Sequence, residues 1–507
     1  MDVLHYLALG FSVALSPINL FFCFVGCLVG TLIGVLPGIG PVATLALLLP
    51  STFKLETTSA IIMLCGIYYG AMYGGSTTSI LMNIPGETAS VVTCLDGYQM
   101  ARKGRAGPAL GMCAFGSFIG GTLSVFGVIF LAPLLSSFAL RFGAPEYFSV
   151  MVLGLVMVTY LCMGSMLKAL IMTVAGLFVA VIGMDTITGM VRFAGGSITL
   201  RGGIGVVPIA IGVFGIGEIL SNLESTSQGE VFRARLKGLM PSVQDWRDSA
   251  GAITRGTLIG FFMGILPGAG TIIPTFMSYA VEKRVSKHPE KFGTGIIEAV
   301  AAPETANNAA TGGSMIPLLS LGIPTSPVMA LLLGAFVIHG VQPGPLLISQ
   351  HPNLFWGVVT SMYIGNTMLL ALNLPLIGVW VQVLRTPYPI LVPLILYFCI
   401  IGVYSLNSNI YEVFMMGIFG MVGYLMRKFK YEAAPFLLAI VLGDFMETNF
   451  RQSLLYSEGD PTIFFQRPLS AVVLGIALIL LFLPLLRRKK GRAWVEKVRE
   501  QMGDEEY

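Results

Sequence analysis

Charge is what this chain has least of. Asp, Glu, Lys and Arg make up 11% of its 507 residues and apolar residues 55%. With a mean hydropathy of +0.81, that balance excludes a chain folded around one aqueous core. No long polar segment remains to build a water-soluble domain. The four histidines, His5, His288, His339 and His351, are too dispersed for a metal centre. The seven cysteines, Cys23, Cys27, Cys65, Cys94, Cys113, Cys162 and Cys399, lack metal-site spacing and read as small buried hydrophobes. The dipeptide Gly-Lys never occurs, which excludes a Walker A phosphate loop and ATP hydrolysis by that route. Asp444, in Leu442-Gly-Asp-Phe445, has no second, comparably placed membrane aspartate, which argues against an intramembrane aspartyl protease. Met1 to Pro17 carry no basic n-region and read as mature sequence rather than a secretory signal.

What the chain has instead is long apolar runs punctuated by 61 glycines and 28 prolines. Runs of about 18 residues or more recur from Ile18 to Leu486, the pattern of an all-α polytopic membrane protein with about 10–12 membrane helices. One phrase is written twice. Gly26, Gly30, Gly34, Leu36, Pro37, Gly38 and Gly40 return at identical internal spacing as Gly256, Gly260, Gly264, Leu266, Pro267, Gly268 and Gly270. Paired Gly/Pro interruptions in two halves of an apolar chain point to a transporter's binding site, because they open helical backbone at membrane depth. A second echo sets Gly74-Gly75-Ser76 and Ile84-Pro85-Gly86 beside Gly312-Gly313-Ser314 and Ile323-Pro324-Thr325, with a one-residue slip. On the offset of the Gly-Gly-Ser match, Tyr69, Gly70 and Tyr73 stand opposite Asn307, Asn308 and Thr311.

Basic residues gather in short loops at Arg102–Arg105, Arg233–Lys237, Lys283–Lys291, Arg427–Lys430 and Arg487–Arg492, alternating with loops nearly free of positive charge. The positive-inside rule places these loops and the C-terminus in the cytoplasm. Ala252 to Val281 would measure about 45 Å as one helix, against a hydrocarbon layer of roughly 30 Å. Basic flanks at both ends predict a re-entrant hairpin over 252–281, with its tip at Leu266–Gly270. The first copy, about 18–50, lacks such flanks and is expected to open to the other side. The organisation expected is therefore a first repeat over 1–230, an inverted second repeat over 250–460, and a final helix and basic tail over 465–507.

The candidate site follows from these breaks. Proline removes a donor, glycine permits positive φ, and freed N–H groups at a half-helix start face an anion. Gly38, Gly40, Pro41, Gly268, Gly270, Thr271, Pro324 and Thr325, with Ser76 and Thr77 beside Gly74-Gly75, are the substrate-binding candidates. On a helix, Glu304, Asn307, Asn308 and Thr311 fall on one polar stripe of an apolar stretch. A carboxylate within the bilayer costs about 2.5 to 3.5 kcal/mol on insertion scales, so it serves a function or a partner. Ion-binding candidates are Glu304, Asn307, Asn308, Gly312 and Ser314, with Thr44 and Asn83 from the first half. Asp96, ahead of a basic loop, is expected to pair with Arg102 or Lys103.

Leu36-Pro-Gly-Ile-Gly-Pro41, Tyr73-Gly-Gly-Ser76 with Asn83-Ile-Pro-Gly86, Glu304-Thr-Ala-Asn-Asn-Ala309 with Gly312-Gly313, Leu321-Gly-Ile-Pro324 and His339-Gly-Val-Gln-Pro-Gly-Pro345 resemble the large membrane subunit of the tripartite tricarboxylate transporter family, to about Asn449. Thr325 departs from the resemblance, standing where glycine is expected. The resemblance implies a bacterial inner-membrane secondary transporter rather than an enzyme. Its partners would be a small four-helix membrane subunit and a periplasmic solute-binding protein that captures a carboxylate. It implies no cofactor and no nucleic acid; association with further copies of the chain stays open. Each negative charge moved into an inside-negative cell costs about 2.3 kcal/mol per 100 mV, roughly 7 for a trivalent anion, so cations must accompany it, Na+ ahead of H+. Oxygen donors near Pro37–Gly40, Pro267–Thr271 and Asn307–Ser314 suit such a hard cation, and replacing Asn307 or Asn308 is expected to weaken sodium dependence more than solute capture. By analogy the architecture is an elevator, a hairpin-bearing unit moving against a scaffold. The competing readings are an intramembrane enzyme and a passive anion channel.

Overall fold

Leu-Pro-Gly stops a helix twice in the same way. The computed structural model describes residues 3–36, 40–162, 164–185, 187–224, 238–384 and 388–486. In it the helix Pro17–Val35 ends on Leu36 in extended backbone (φ −77°, ψ 122°), with its N–H on the Ile33 carbonyl. The helix Val243–Ile265 ends on Leu266 (φ −80°, ψ 126°) with its N–H on Met263. The chain resumes as Pro41–Leu48 in the first case and Ile272–Val285 in the second. The two arms of the second break lie side by side, because Arg255 on one donates from Nε and Nη2 to Glu282 on the other at 2.8 and 2.6 Å. Pro37 and Gly38 lie outside the described residues.

The glycines of each first arm set a backbone-to-backbone contact. A Cβ added at Gly26, Gly30 or Gly34 would come within 3.0 Å of the carbonyls of Met63, Ile67 and Ala71 on the helix Thr57–Met82. A Cβ at Gly256, Gly260 or Gly264 would do the same to Ala302, Ala306 and Ala310 on the helix Glu298–Leu321. Small residues permit this approach, and apolar bulk cannot. These contacts correct the register read from sequence. They pair Met63 with Ala302 and Gly74 with Gly313, and the left-handed C-caps pair Asn83 (φ 57°) with Gly322 (φ 70°). The one-residue slip vanishes, since Ile84-Pro85-Gly86 already matches Ile323-Pro324-Thr325 in that frame. Asn307, Asn308 and Thr311 therefore stand opposite Tyr68, Tyr69 and Met72.

The halves interlock. The long helix after the first pair, Ala106–Ala139, lies on the second half's 298–321 helix, Gly116 and Gly120 abutting Thr305. Its counterpart Pro352–Asn373 lies on the 57–82 helix, with Gly357 near Thr58 and Gly365 near Tyr69. Around this centre, Ala144–Tyr160, Met166–Ala180, Ala433–Tyr456 and Pro468–Leu486 form one group, joined by Gly176 against Phe436, Ser149 to Ser470 at 2.7 Å and Arg467 to Glu146 at 2.9 Å. Val206–Glu224 meets Ile410–Lys428 through Gly212, Gly217, Gly420 and Gly423.

The fold is all-α and polytopic; among the described residues the only strands are a two-stranded hairpin, Gly183–Met184 against Val191–Arg192. Among the described residues, six helices are long and apolar enough to cross a membrane. Seven further helices are apolar but shorter. The 57–82, 243–265 and 298–321 helices are long but less apolar, and the first and last of these are buried along nearly their whole length, shielded from lipid by the others.

The hairpin is held by charge. Asp185 accepts from Arg451 at 2.6 Å, and Arg192 forks onto Glu447 at 2.7 and 3.1 Å. Arg451, then the Thr188 hydroxyl and the Ile187 N–H, hold the Asp185 carboxyl below its usual range. A depressed carboxylate stabilises above its unfolded value, near 4, and that contribution is lost as pH falls through the folded one. Protection of the Gly183–Arg192 amides, taken relative to their intrinsic exchange rate at each pH, is expected to fall on acidification from pH 7 to 3, and an Arg451→Met variant should be poorly protected throughout with a weaker pH response. An equally steep response in the variant removes the ion pair as its cause.

Candidate functional site

The helix 298–321 owes its position to Ala and Gly on the sides facing Val243–Ile265 and Ala106–Ala139, which leaves its polar stripe to meet the 57–82 helix and the segment after it. Half of that stripe is turned back on its own backbone. Asn308 Nδ2 donates to the Glu304 carbonyl at 3.2 Å, Thr311 to Asn308 at 2.6 Å and Ser314 to Thr311 at 2.7 Å, the self-satisfaction common for such residues in helices. Gly312 sits against Ser124, and Thr44 donates to the Gly40 carbonyl at 3.0 Å. Asn83 is an exposed helix cap. The described structure thus gives Asn308, Ser314, Thr44 and Asn83 local or capping positions and Gly312 a helix-packing one, outside the hydroxyl cluster around Glu304.

Glu304 reaches across. It is 1% exposed; Oε2 accepts from Ser76 at 2.6 Å and Ser117 at 3.5 Å, and Oε1 accepts from Thr93. Three separate elements therefore supply hydroxyls to one carboxylate. A turn further along, Asn307 Nδ2 donates to Glu87 Oε1 at 3.2 Å. Glu87 caps the short turn Thr88–Ser90, its Oε2 accepting from Ala89 N at 2.8 Å, in the place Ser326 takes ahead of Pro327–Ile338 in the other half. Among the described residues no Lys or Arg pairs with either carboxylate. Three buried polar atoms here lack partners: Asn307 Oδ1, Tyr73 Oη and Asn373 Oδ1. Each orphan costs about 1–3 kcal/mol, and a group of them marks a place for water, an ion or a ligand.

Asp96 also departs from expectation. It does not pair with Arg102 or Lys103 but is fully buried, accepting from Gly293 N (2.9 Å), Gly295 N (2.7 Å), Ile296 N (3.1 Å) and Tyr279 Oη (2.9 Å). Gly293 and Gly295, both at positive φ, turn their amides inward to make this nest. Asp96 so clamps the segment carrying Thr93 to the loop that starts the Glu304 helix.

Each break is tied to a neighbouring turn. Gly268 (φ 86°) donates its N–H to Thr325 O at 2.9 Å, tying the second tip to the Ile323-Pro324-Thr325 turn, and a Cβ added at Gly268 would meet the Val158 backbone. Pro324 and Thr325 are buried, Gly270 sits at φ 52°, and Thr271 begins the next helix without a side-chain cap bond. Gly86 is forced by its approach to Gly75 and Gly34. Gly40 has open space beside it and Pro41 starts the following helix. Ser76 and Thr77 line a cleft with Tyr73, Ser117 and Asn373 whose interior offers about 10 Å³, room for one water and no carboxylate substrate in this conformation. Sequence reasoning missed Thr93 and Ser117 as partners of Glu304. Thr93 lies three residues before Asp96, a usable signal; Ser117 is one serine among many small residues and gives none.

A family model described as tripartite tricarboxylate transporter TctA family matches residues 20–438. The chain is 50% identical over 500 residues to an uncharacterised 52.8 kDa protein in the TAR-I ttuC′ 3′ region of Agrobacterium vitis, covering 98% of this chain and 100% of that one. It is 48% identical over 240 residues to a protein in the TAR-II ttuC′ 3′ region of the same organism, covering 47% of this chain and 99% of that one. No solved structure matches.

Proposed function

The chain belongs to the tripartite tricarboxylate transporter TctA family and is the large membrane subunit of such a transporter, and we propose that it imports a carboxylate by cation-coupled secondary transport. In this reading a solute-binding protein delivers the substrate on the periplasmic side of a bacterial inner membrane, and a small four-helix subunit completes the membrane part. The C-terminus is cytoplasmic, the repeats are inverted, and the broken tips at 36–41 and 266–271 converge on one compartment. The coupling ion is Na+.

One observation carries the coupling. Glu304 is buried away from every described cation yet accepts from three hydroxyls. A hydroxyl that donates to a carboxylate keeps its lone pairs for a cation, and Ser76, Thr93 and Ser117 with Glu304 make an oxygen set suited to a hard ion. The substrate carboxylates face the N-terminal amides that follow the tips.

Proteoliposomes holding both membrane subunits, with purified binding protein and sodium or proton gradients imposed separately, test this. Uptake should require the binding protein and rise with an inward sodium gradient. Ser76→Ala and Thr93→Val should each raise the sodium concentration for half-maximal uptake several-fold, an effect on the order of the net worth of one ordinary hydrogen bond, while capture by the binding protein is untouched. Asn308→Ala should change it less, because that amide serves its own helix. Downhill flux without the binding protein or a gradient marks a channel and overturns the reading; cleavage of a peptide would mark an enzyme.

A further inference from the structure

Two carboxylates lie within one helical turn's reach of each other, and their donors differ in kind. Glu304 receives three hydroxyl hydrogens. Glu87, 5% exposed, receives the backbone N–H groups of Ala89 and Ser90 and, on Oε1, only the long 3.2 Å contact from the Asn307 amide. The other end of that amide, Asn307 Oδ1, is buried with no partner. An amide presents a donor and an acceptor on two sides of one plane, so rotation about its last bond exchanges them. With Glu87 ionised, Nδ2 donates to Oε1, as observed. With Glu87 protonated, the turned amide offers Oδ1 to the carboxylic O–H. Both states are then satisfied, and the orphaned carbonyl oxygen is the acceptor that the second state needs.

We propose that Glu87 is a proton-carrying site of the transport cycle, with the Asn307 amide as its two-way partner. This rests on the transport reading above and adds to it a second coupled ion. The proton enters from the periplasmic side while the site opens there, resides on Glu87 Oε1 during the crossing, and leaves to the cytoplasm. One proton thus moves inward per cycle and Glu87 returns to its starting charge. The titratable and charged groups that face Glu87 electrostatically are Glu304 on the 298–321 helix and Tyr68 on the 57–82 helix; Tyr73, Cys94 and Cys113 face Glu304. None of these is a cation. Two adjacent buried anions repel in low dielectric, so a proton on Glu87 relieves Glu304 as Na+ or substrate changes the local charge. Glu87 replaces the Ser326 of the other half, which caps its own turn without any titration, so capping alone does not call for a carboxylate here.

The test uses the assembled transporter in proteoliposomes with the binding protein, comparing wild type, Glu87→Gln and Asn307→Leu. With sodium equal on both sides, an inward proton gradient should drive accumulation by wild type. In Glu87→Gln, a fixed mimic of the protonated state, that accumulation should fall at least tenfold, and the pH profile of sodium-driven uptake should flatten. Asn307→Leu removes both ends of the amide and should shift the profile without flattening it, and it carries the test should Glu87→Gln not yield folded protein by size exclusion. A proton-gradient response in Glu87→Gln equal to that of wild type overturns the proposal, as does an unshifted profile in Asn307→Leu. Wild type that shows sodium-driven uptake but no proton response also overturns it and leaves the transport reading standing. Wild type without any uptake of a carboxylate overturns the transport reading itself.

Discussion

Glu304→Gln should leave a folded protein that transports about ten- to a hundredfold more slowly at fixed sodium, the scale of one hydrogen bond to a charged group at roughly 1.5–3 kcal/mol. Glutamine keeps the volume and one acceptor oxygen, so Ser76, Ser117 and Thr93 need not all be orphaned. What it removes is the charge, and with it the reason a cation enters a dry region among hydroxyls. Sodium activation should be lost while the response to a proton gradient, assigned to Glu87, persists in part. Glu304→Ala is the harsher change: three buried hydroxyls lose their acceptor and a cavity opens, so lowered thermal stability should join the transport defect. Wild-type sodium activation in Glu304→Gln would take Glu304 out of the ion site.

How far the sequence reaches is clearest at the breaks. Leu36 and Leu266 end their helices with nearly the same torsions because proline and glycine act on the two or three residues around them, and a local cause is legible locally. The polar stripe of 298–321 was equally visible as periodicity. Which of its members face outward was not, because Asn308, Thr311 and Ser314 could satisfy themselves on their own helix, and only the arrival of Ser76, Thr93 and Ser117 from far along the chain decides that Glu304 does not. Register failed for a different reason. Two Gly-Gly-Ser strings invite alignment on themselves, but Gly74 and Gly313 are equivalent by what they touch, the carbonyls of Thr31 and Phe261. Asp96 likewise looked like a partner for the nearest basic residue, since a nest made by a loop about two hundred residues later leaves no mark near it.

The glycine contacts give the second large effect, with a sign that opposes helix propensity. Alanine is favoured over glycine in a helix by about 0.8–1.0 kcal/mol, so Gly260→Ala considered alone should stabilise. The added methyl, however, would meet the carbonyl and Cα of Ala306 at under 3.0 Å, and Gly30→Ala would meet Ile67 in the same way. These atoms are backbone in a fully buried helix and have no rotamer through which to yield. The helices must separate, which loosens every contact along the pair, and overpacking of this kind costs about 1–3 kcal/mol even where side chains can adjust. Burial favours the larger penalty, so Gly260→Ala and Gly30→Ala should both melt earlier in detergent and assemble poorly, and Gly30→Ala combined with Gly260→Ala should give little folded protein. Gly417→Ala, in the lipid-facing 410–428 helix with nothing within 4 Å of the new methyl, should melt at or slightly above wild type. If Gly260→Ala melts with Gly417→Ala, the close approach of the two helices is not what holds the Glu304 helix in place.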